Sequence, residues 1–386
     1  MMNIGIVCYP TYGGSGVVAT ELGKSLALRG HKVHFITYSR PIRLGHFTQN
    51  ITFHEVKTQD YPLFEYPPYE SALASTMVDV ARYQNLDLFH VHYAIPHASA
   101  GYLARNILAD MGKRVPLITT LHGTDITLVG KEKSYGPVVA YSINQSDGVT
   151  AVSDYLRRAT YESFEIRREI EVIPNFVDLD RFSRQDKEHF RKMVAPGNQK
   201  IILHTSNFRK VKRVLDVIKI FAQIRSEVNA KLLMIGDGPE RTNAEELCRE
   251  MHLCDDIVFL GSQNPVEEIY SIGDLFLMPS ETESFGLSAL EAMACGIPCI
   301  TSEAGGLPEI VVHGENGFYA PVGDIEAMGR HAINLLQSPD MWRAFSVAAR
   351  ARAEEFRLEA IVPHYERYYQ SVLEGKTSPA LSPFAR

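Results

Sequence analysis

Apolar runs alternate with amphipathic helical stretches along the whole chain, and the pattern restarts near the middle. In the first half NIGIVC, HKVHFIT, ITFHEV, LDLFHVH, VPLITTL and GVTAV read as strands. Helical spacing appears over Val17–Arg29, Ser71–Tyr83, Ala98–Met111 and after Ser153. After PNFVDLDRFSRQDKEHF come KIILHTSN, AKLLMIGDG, DIVFLGS, DLFLMPS and PCITS, again separated by helical segments. Strands alternating with helices predict a mainly parallel sheet covered on both faces. The expected fold class is therefore α/β, with two doubly wound Rossmann-like units joined near residues 175–199. No repeat of residues links the halves, so the repetition is architectural. Ligands bind such sheets beyond the C-terminal strand ends, and two facing sheets would make an interdomain cleft.

Composition narrows the partners. The 386 residues suggest two or three domains, with 45% hydrophobic and 22% charged residues. A formal charge of -7 gives no broad basic surface for nucleic acid. No apolar run is long enough to insert in a membrane, and no secretion signal precedes NIGIVCYP. The five cysteines, Cys8, Cys248, Cys254, Cys295 and Cys299, contain no CxxC, which fits a reducing, cytoplasmic setting. Cys8 reads as a small buried residue at a strand end.

The densest chemistry lies in ESFGLSALEAMACGIPCI. Glu283 precedes Phe285-Gly286-Leu287, and Glu291 follows after seven intervening residues. Gly286 and Ser288 allow a tight loop-to-helix entry, and Leu287, Leu290, Met293 and Ala294 recur at helical spacing. Helix-start amides between two carboxylates offer a seat for a diphosphate, one carboxylate for sugar hydroxyls and one for a ribose. A nucleotide-sugar needs that combination. The competing reading is an amphipathic core helix with a solvated glutamate at each end.

Other strand ends add donors. CYPTYGGSG carries Gly13, Gly14 and Gly16 into a helix, and Ser15 supplies a hydroxyl suited to a carboxylate. In TTLHGTDIT, His122 follows a strand, Thr120 lies on the same side, and Asp125 could orient the imidazole or cap the next segment. HVHYAIPHA holds His90, His92 and His97; a metal site is conceivable, but the fourth ligand is missing. Tyr93 is the better candidate there, for an acceptor contact. SNFRKVKR gathers Asn207, Arg209, Lys210, Lys212 and Arg213 at a strand-to-helix turn, where a lysine is a strong point donor to a diphosphate. Glu240 in IGDGPE is placed to cap a helix. Asp178 and Asp180 superficially suggest a metal-binding pair.

These stretches together resemble the retaining glycosyltransferases of family 4, which have the GT-B fold, and the resemblance covers most of the chain. It implies a first, acceptor-binding domain over residues 1–175 and a UDP-sugar domain over 176–357. A helix over 358–374 would cross back to the first domain, leaving a disordered tail, 375–386. It implies catalysis by Lys212, His122 and Glu283, without cofactor or metal. His122 would contact the donor sugar and Lys212 the diphosphate. Donor contacts would come from Gly14, Asn207, Arg209, Lys212, Glu283, Phe285, Gly286, Leu287, Ser288 and Glu291. Asn207 stands where most members have arginine, a charge Arg209 would replace. Residues 261–266 would meet a uracil ring. Asp178 and Asp180 fall in the interdomain segment, with Asn175 reaching the cleft. CYP-x-x-GGSG, YPPYE, HVHYAIPHA and ESFGL-x-x-LEAMACG are more particular. They are similar to members that join GlcNAc from UDP-GlcNAc to the hydroxyl of L-malate, the first step of bacillithiol biosynthesis. The acceptor would then bind Ser15, Tyr93, Thr120 and Asn175, with Arg43 left open. Thr11-Tyr12 and IPNF depart from that pattern. Alternatives are another small or lipid acceptor, a UDP-GlcNAc 2-epimerase or a nucleotide-sugar sensor. The oligomeric state stays open.

Overall fold

A computed structural model describes residues 1–11, 13–45, 49–59, 62–128, 132–197 and 199–376. Tyr12 and the tail beyond residue 376 lie outside the described residues. The chain divides into two compact units, Met1–Asn175 with Glu359–Arg386, and Phe176–Leu358.

The first unit holds seven strands: β1 (Asn3–Val7), β2 (Lys32–Thr37), β3 (Ile51–Glu55), β4 (Leu88–His92), β5 (Leu117–Leu121), β6 (Gly148–Ala151) and β7 (Ile170–Val172). Their order is β3-β2-β1-β4-β5-β6-β7, and each pair is parallel. The pleat sorts side chains by parity. Val7, Phe89 and Val91 face helices Tyr69–Gln84 and Ser99–Asp110. On the opposite face a methyl at Gly23 of helix Gly14–Leu28 would strike Phe35 and Ile6 at 2.4 and 3.1 Å. Ile6 pairs with His90 across β1 and β4, so His90 shares that second face.

The second unit continues with β8 (Lys200–Thr205), β9 (Ala230–Ile235), β10 (Ile257–Gly261), β11 (Leu275–Met278), β12 (Cys299–Ser302) and β13 (Gly317–Ala320). Their order is β10-β9-β8-β11-β12-β13, again parallel. Helices Val214–Glu227, Arg241–Glu250 and Ile325–Gln337 close one apolar core. Helix Leu287–Ala294 packs on β11, β12 and helix Pro339–Glu355.

In both sheets the strand order reverses once, between β1 and β4 and between β8 and β11. At such a switch point the loops splay apart and leave room for a ligand. The GT-B expectation is borne out, with helix Leu358–Leu373 packing on the first unit. Two strands escaped the sequence pattern: β7 and β13 are short edge strands, too brief to show a period. Among the described residues no helix is long and apolar enough to cross a membrane.

Candidate active site

In the first unit the loop after β1 turns into helix Gly14–Leu28. Gly16 makes that turn feasible, because a Cβ there would lie 2.4 Å from the Tyr9 carbonyl and 2.6 Å from that of Thr11. Cys8 is buried, its thiol pushed up to about 12 by loss of solvent, so it stays an unreactive thiol. Gly14 is exposed and Ser15 half-buried at the helix start. The Tyr93 hydroxyl donates to Ser15 Oγ at 2.7 Å, joining two residues 78 positions apart. Burial pushes the Tyr93 phenol up to about 12, so it keeps its proton.

His122 stands at the end of β5, with Nε2 2.8 Å from Nδ1 of His92. Burial depresses His122 to about 3, so it is neutral near pH 7. Asp125 does not touch the imidazole. Its carboxylate accepts from the backbone N–H of Ala94 (2.9 Å) and Gly123 (3.0 Å), tying the loops after β4 and β5 together. Desolvation outweighs those bonds and raises Asp125 to about 6.

Thr120 corrects an expectation. Its side chain is 0% exposed, and Oγ1 lies 2.6 Å from His90 Nε2 and 2.7 Å from Thr150 Oγ1. The Tyr369 hydroxyl meets His90 Nδ1 at 2.7 Å. Thr120 therefore props the strand ends from beneath rather than facing a ligand. Of the histidines in HVHYAIPHA, His92 bonds to the His122 ring, His97 to the His92 carbonyl, and His90 to Thr120 and Tyr369. Asn175, where the chain leaves this unit, is buried with Oδ1 unpartnered among the described residues.

In the second unit Lys212 and Glu283, distant in sequence, form an ion pair, and Ser280 Oγ donates to the same Glu283 oxygen at 2.9 Å. Both partners are largely buried. The Lys212 turn is fixed by backbone: Glu281 N–H donates to Val211 O at 2.7 Å, and Lys212 N–H to Arg209 O at 2.8 Å. Asn207 and Arg209 are exposed beside it. Gly236 and Gly238 let the β9 loop press on this turn, since Cβ atoms there would sit 1.8 and 2.0 Å from the carbonyls of Ser206 and Asn207. The 261–266 stretch joins it through Gly261 O, which accepts from Gly236 N–H at 2.8 Å.

Gly286 caps helix Leu287–Ala294 at φ 95, the left-handed region that glycine tolerates. Leu287 and Ser288 are half-buried in its first turn, where N–H groups have no intrahelical partner. Phe285 is buried edge-on against Phe356, with centroids 5.7 Å apart. Glu291 lies one turn further in and is only 6% exposed.

Two acidic motifs resolve as local structure. Asp178 Oδ1 accepts from the N–H groups of Asp180 (3.0 Å) and Arg181 (3.1 Å), a turn rather than a metal seat. Glu240 sits before helix Arg241–Glu250, but its carboxylate accepts from the Asn243 amide at 3.3 Å and caps no backbone. Among the described residues no group of three or more His, Cys, Asp or Glu is arranged to hold a metal ion.

Residues 12–181 match the model of Glycosyltransferase Family 4, and residues 185–352 that of Glycosyl transferases group 1. The N-acetyl-alpha-D-glucosaminyl L-malate synthase of Bacillus anthracis is 48% identical over 374 residues, 96% of this chain and 97% of that protein. This chain is a family 4 glycosyltransferase. Among solved structures, HepE of Anabaena, in complex with UDP and glucose, superposes on the transferase with a TM-score of 0.82. It is 20% identical, and the match covers 96% of this chain and 100% of that one. A sucrose-phosphate synthase from Thermosynechococcus elongatus gives 0.80 at 22% identity, over 97% and 100% of the two chains. These two support the fold.

Several supporting groups of the transferase escaped the sequence reading. Ser280 sits three residues before Glu283, a local signal that was readable. Gly305 and Gly306 were not readable. A Cβ on either would lie 1.8 Å from Glu283 O or 2.4 Å from Ser284 O, so this distant pair shapes the glutamate loop. His204 joins Leu277 O and Ser206 Oγ, both at 2.8 Å, beneath the Lys212 turn.

Proposed function

We propose that the enzyme transfers GlcNAc from UDP-GlcNAc to the hydroxyl of L-malate with retention at the anomeric carbon, the step that opens bacillithiol assembly. The observation that carries this reading is the 48% identity to the Bacillus anthracis synthase over nearly the whole of both chains. Lys212, Arg209 and Asn207, with the first amides of helix Leu287–Ala294, hold the diphosphate. Lys212 then stabilises charge on the departing UDP. Glu283 orients the sugar and Lys212 together, and Glu291 takes the ribose hydroxyls. Gly14 opens the β1 loop to the donor phosphate, and His122 contacts the sugar. Ser15, Tyr93 and Asn175 receive malate.

The malate hydroxyl attacks the anomeric carbon on the face that UDP leaves. The carbon–oxygen bond to UDP breaks, and a phosphate oxygen of the departing UDP accepts the hydroxyl proton. The test is incubation with UDP-GlcNAc, with and without L-malate, reading UDP release and product mass. UDP and GlcNAc-malate should form only when malate is present. Efficient glycosylation of another acceptor, with malate inert, would remove the malate assignment and leave a transferase. The site chemistry is basic and amide-based, so full turnover is expected after exhaustive chelation. Activity lost to chelator and restored by magnesium or manganese would refute that.

A further inference from the structure

His92 and His122 are both uncharged near pH 7, because burial drives His122 down to about 3 and His92 well below its ordinary value. Each ring then carries one proton, and its position decides what His122 can do. His92 Nδ1 and His122 Nε2 lie 2.8 Å apart. Their ring centroids are 5.0 Å apart with planes 25° from parallel. That separation is about the bond length plus a radius from each ring, so the rings meet edge to edge with a proton between them.

The other nitrogen of His92 settles the donor. His92 Nε2 is buried and has no partner among the described residues. If His122 supplied the shared proton, the His92 proton would sit on Nε2 as a buried N–H with nothing to bond. If His92 supplies it from Nδ1, only an unused lone pair is left at Nε2. Orphaned buried donors are the rarer of the two. His97 sets a precedent in the same cluster. Its Nδ1 lies 2.5 Å from the His92 carbonyl, which can only accept, so its buried, unpartnered Nε2 must be a bare lone pair.

We infer that His92 is a positioning residue: it donates from Nδ1 to His122 Nε2 and locks His122 in the Nδ1–H tautomer. His122 then offers a hydrogen-bond donor to a ligand oxygen and has no lone pair with which to act as a base. Its Nδ1 has no protein partner among the described residues, and the residue is 9% exposed. The role of this donor rests on the proposed sugar contact of His122; the tautomer itself does not. A neutral N–H suits a sugar hydroxyl, and the proton of the attacking hydroxyl must leave by another route.

Two-bond 15N–1H correlation spectra of the full chain, labelled at histidine and recorded without substrate, test the tautomer directly. His122→Asn identifies the His122 signals by their loss. Expected is a protonated Nδ1 and a bare Nε2 on His122; a protonated Nε2 overturns the inference. Kinetics give a second reading, because an asparagine amide can occupy the Nδ1 place and a glutamine amide the Nε2 place. His122→Asn should retain about a tenth of kcat, while His122→Gln falls at least about 100-fold, the scale of losing one oriented donor. Equal losses, or glutamine ahead of asparagine, would overturn the donor role of His122, while the spectra alone decide the tautomer. His92→Phe should move the proton to His122 Nε2 and lower kcat more than it raises KM. Failure of the malate reading would leave the spectra unchanged, so the two can fail separately.

Discussion

Lys212 and Glu283 neutralise each other at largely buried positions, so removing either leaves an unpaired charge. Their losses should nevertheless differ. If Lys212 donates to the leaving group as proposed, Lys212→Ala should lower kcat about 100- to 1,000-fold, about 3 kcal/mol. A folded variant with near-wild-type kcat would sink this role. Glu291→Ala should weaken UDP binding by about 1.5–3 kcal/mol, the scale of a hydrogen bond to a charged group. Glu283→Ala frees Lys212 for phosphate, so UDP affinity should hold while turnover of UDP-GlcNAc drops. Calorimetry with UDP, paired with steady-state kinetics, separates them, and the opposite pattern would exchange the two assignments.

At the scale of elements, helix Leu358–Leu373 is a structural part of the first unit. Arg29 grips Glu366 in a two-pronged ion pair, with bonds of 2.8 and 2.7 Å. Tyr368 OH accepts from Val149 N–H at 2.7 Å at the edge of β6. Tyr369 is fully buried and meets His90, which in turn holds Thr120. Tyr369→Phe keeps the ring and strands His90 Nδ1, so stability should drop by about 1–3 kcal/mol. Urea unfolding measures it, and an unchanged midpoint with unchanged slope would show that this bond contributes nothing. The helix pattern over 358–373 was legible in the sequence. Its return to the first unit was expected from the family resemblance and not from the pattern, because tyrosines at helical spacing do not say which sheet they will cover.

For the whole molecule, buried imidazoles govern the acid side of the stability curve. His90 and His122 are depressed to about 3 and His97 to about 4 by burial, with His92 also driven down. Above pH 6.5 folded and unfolded chains are both neutral at these rings, and nothing changes. Below it the unfolded chain takes up protons that the folded chain refuses, so stability falls as pH drops from 6.5 towards 4. Each ring contributes up to about 1.4 kcal/mol per pH unit. Asp125 acts in the opposite sense. Its folded value of about 6 exceeds its unfolded one, so folding gains a proton between pH 6 and 4 and part of the loss is offset. Thermal unfolding should show a Tm that is level from pH 8 to 7 and falls steadily below 6.5. A Tm that rises on acidification would show that these rings are not buried neutral.

Local rules were legible from the sequence: where strands and helices alternate, that the pattern restarts, and which segments offer helix-start amides and carboxylates after strands. These are set by short-range periodicity and by backbone needs such as the left-handed turn at Gly286. The sequence also put Glu283 and Lys212 on turns at strand ends and Glu291 on the helix that follows, because a strand-to-helix junction is readable from a few residues. Tertiary structure alone decided which distant groups meet. Lys212 with Glu283, Tyr93 with Ser15, His92 with His122 and Gly305 against the Glu283 loop are all contacts across separate strand ends. Thr120 is the clearest case. Its strand and its face were legible, but whether that face meets a ligand or the underside of a helix depends on where residues 358–373 pack, and no local pattern encodes that.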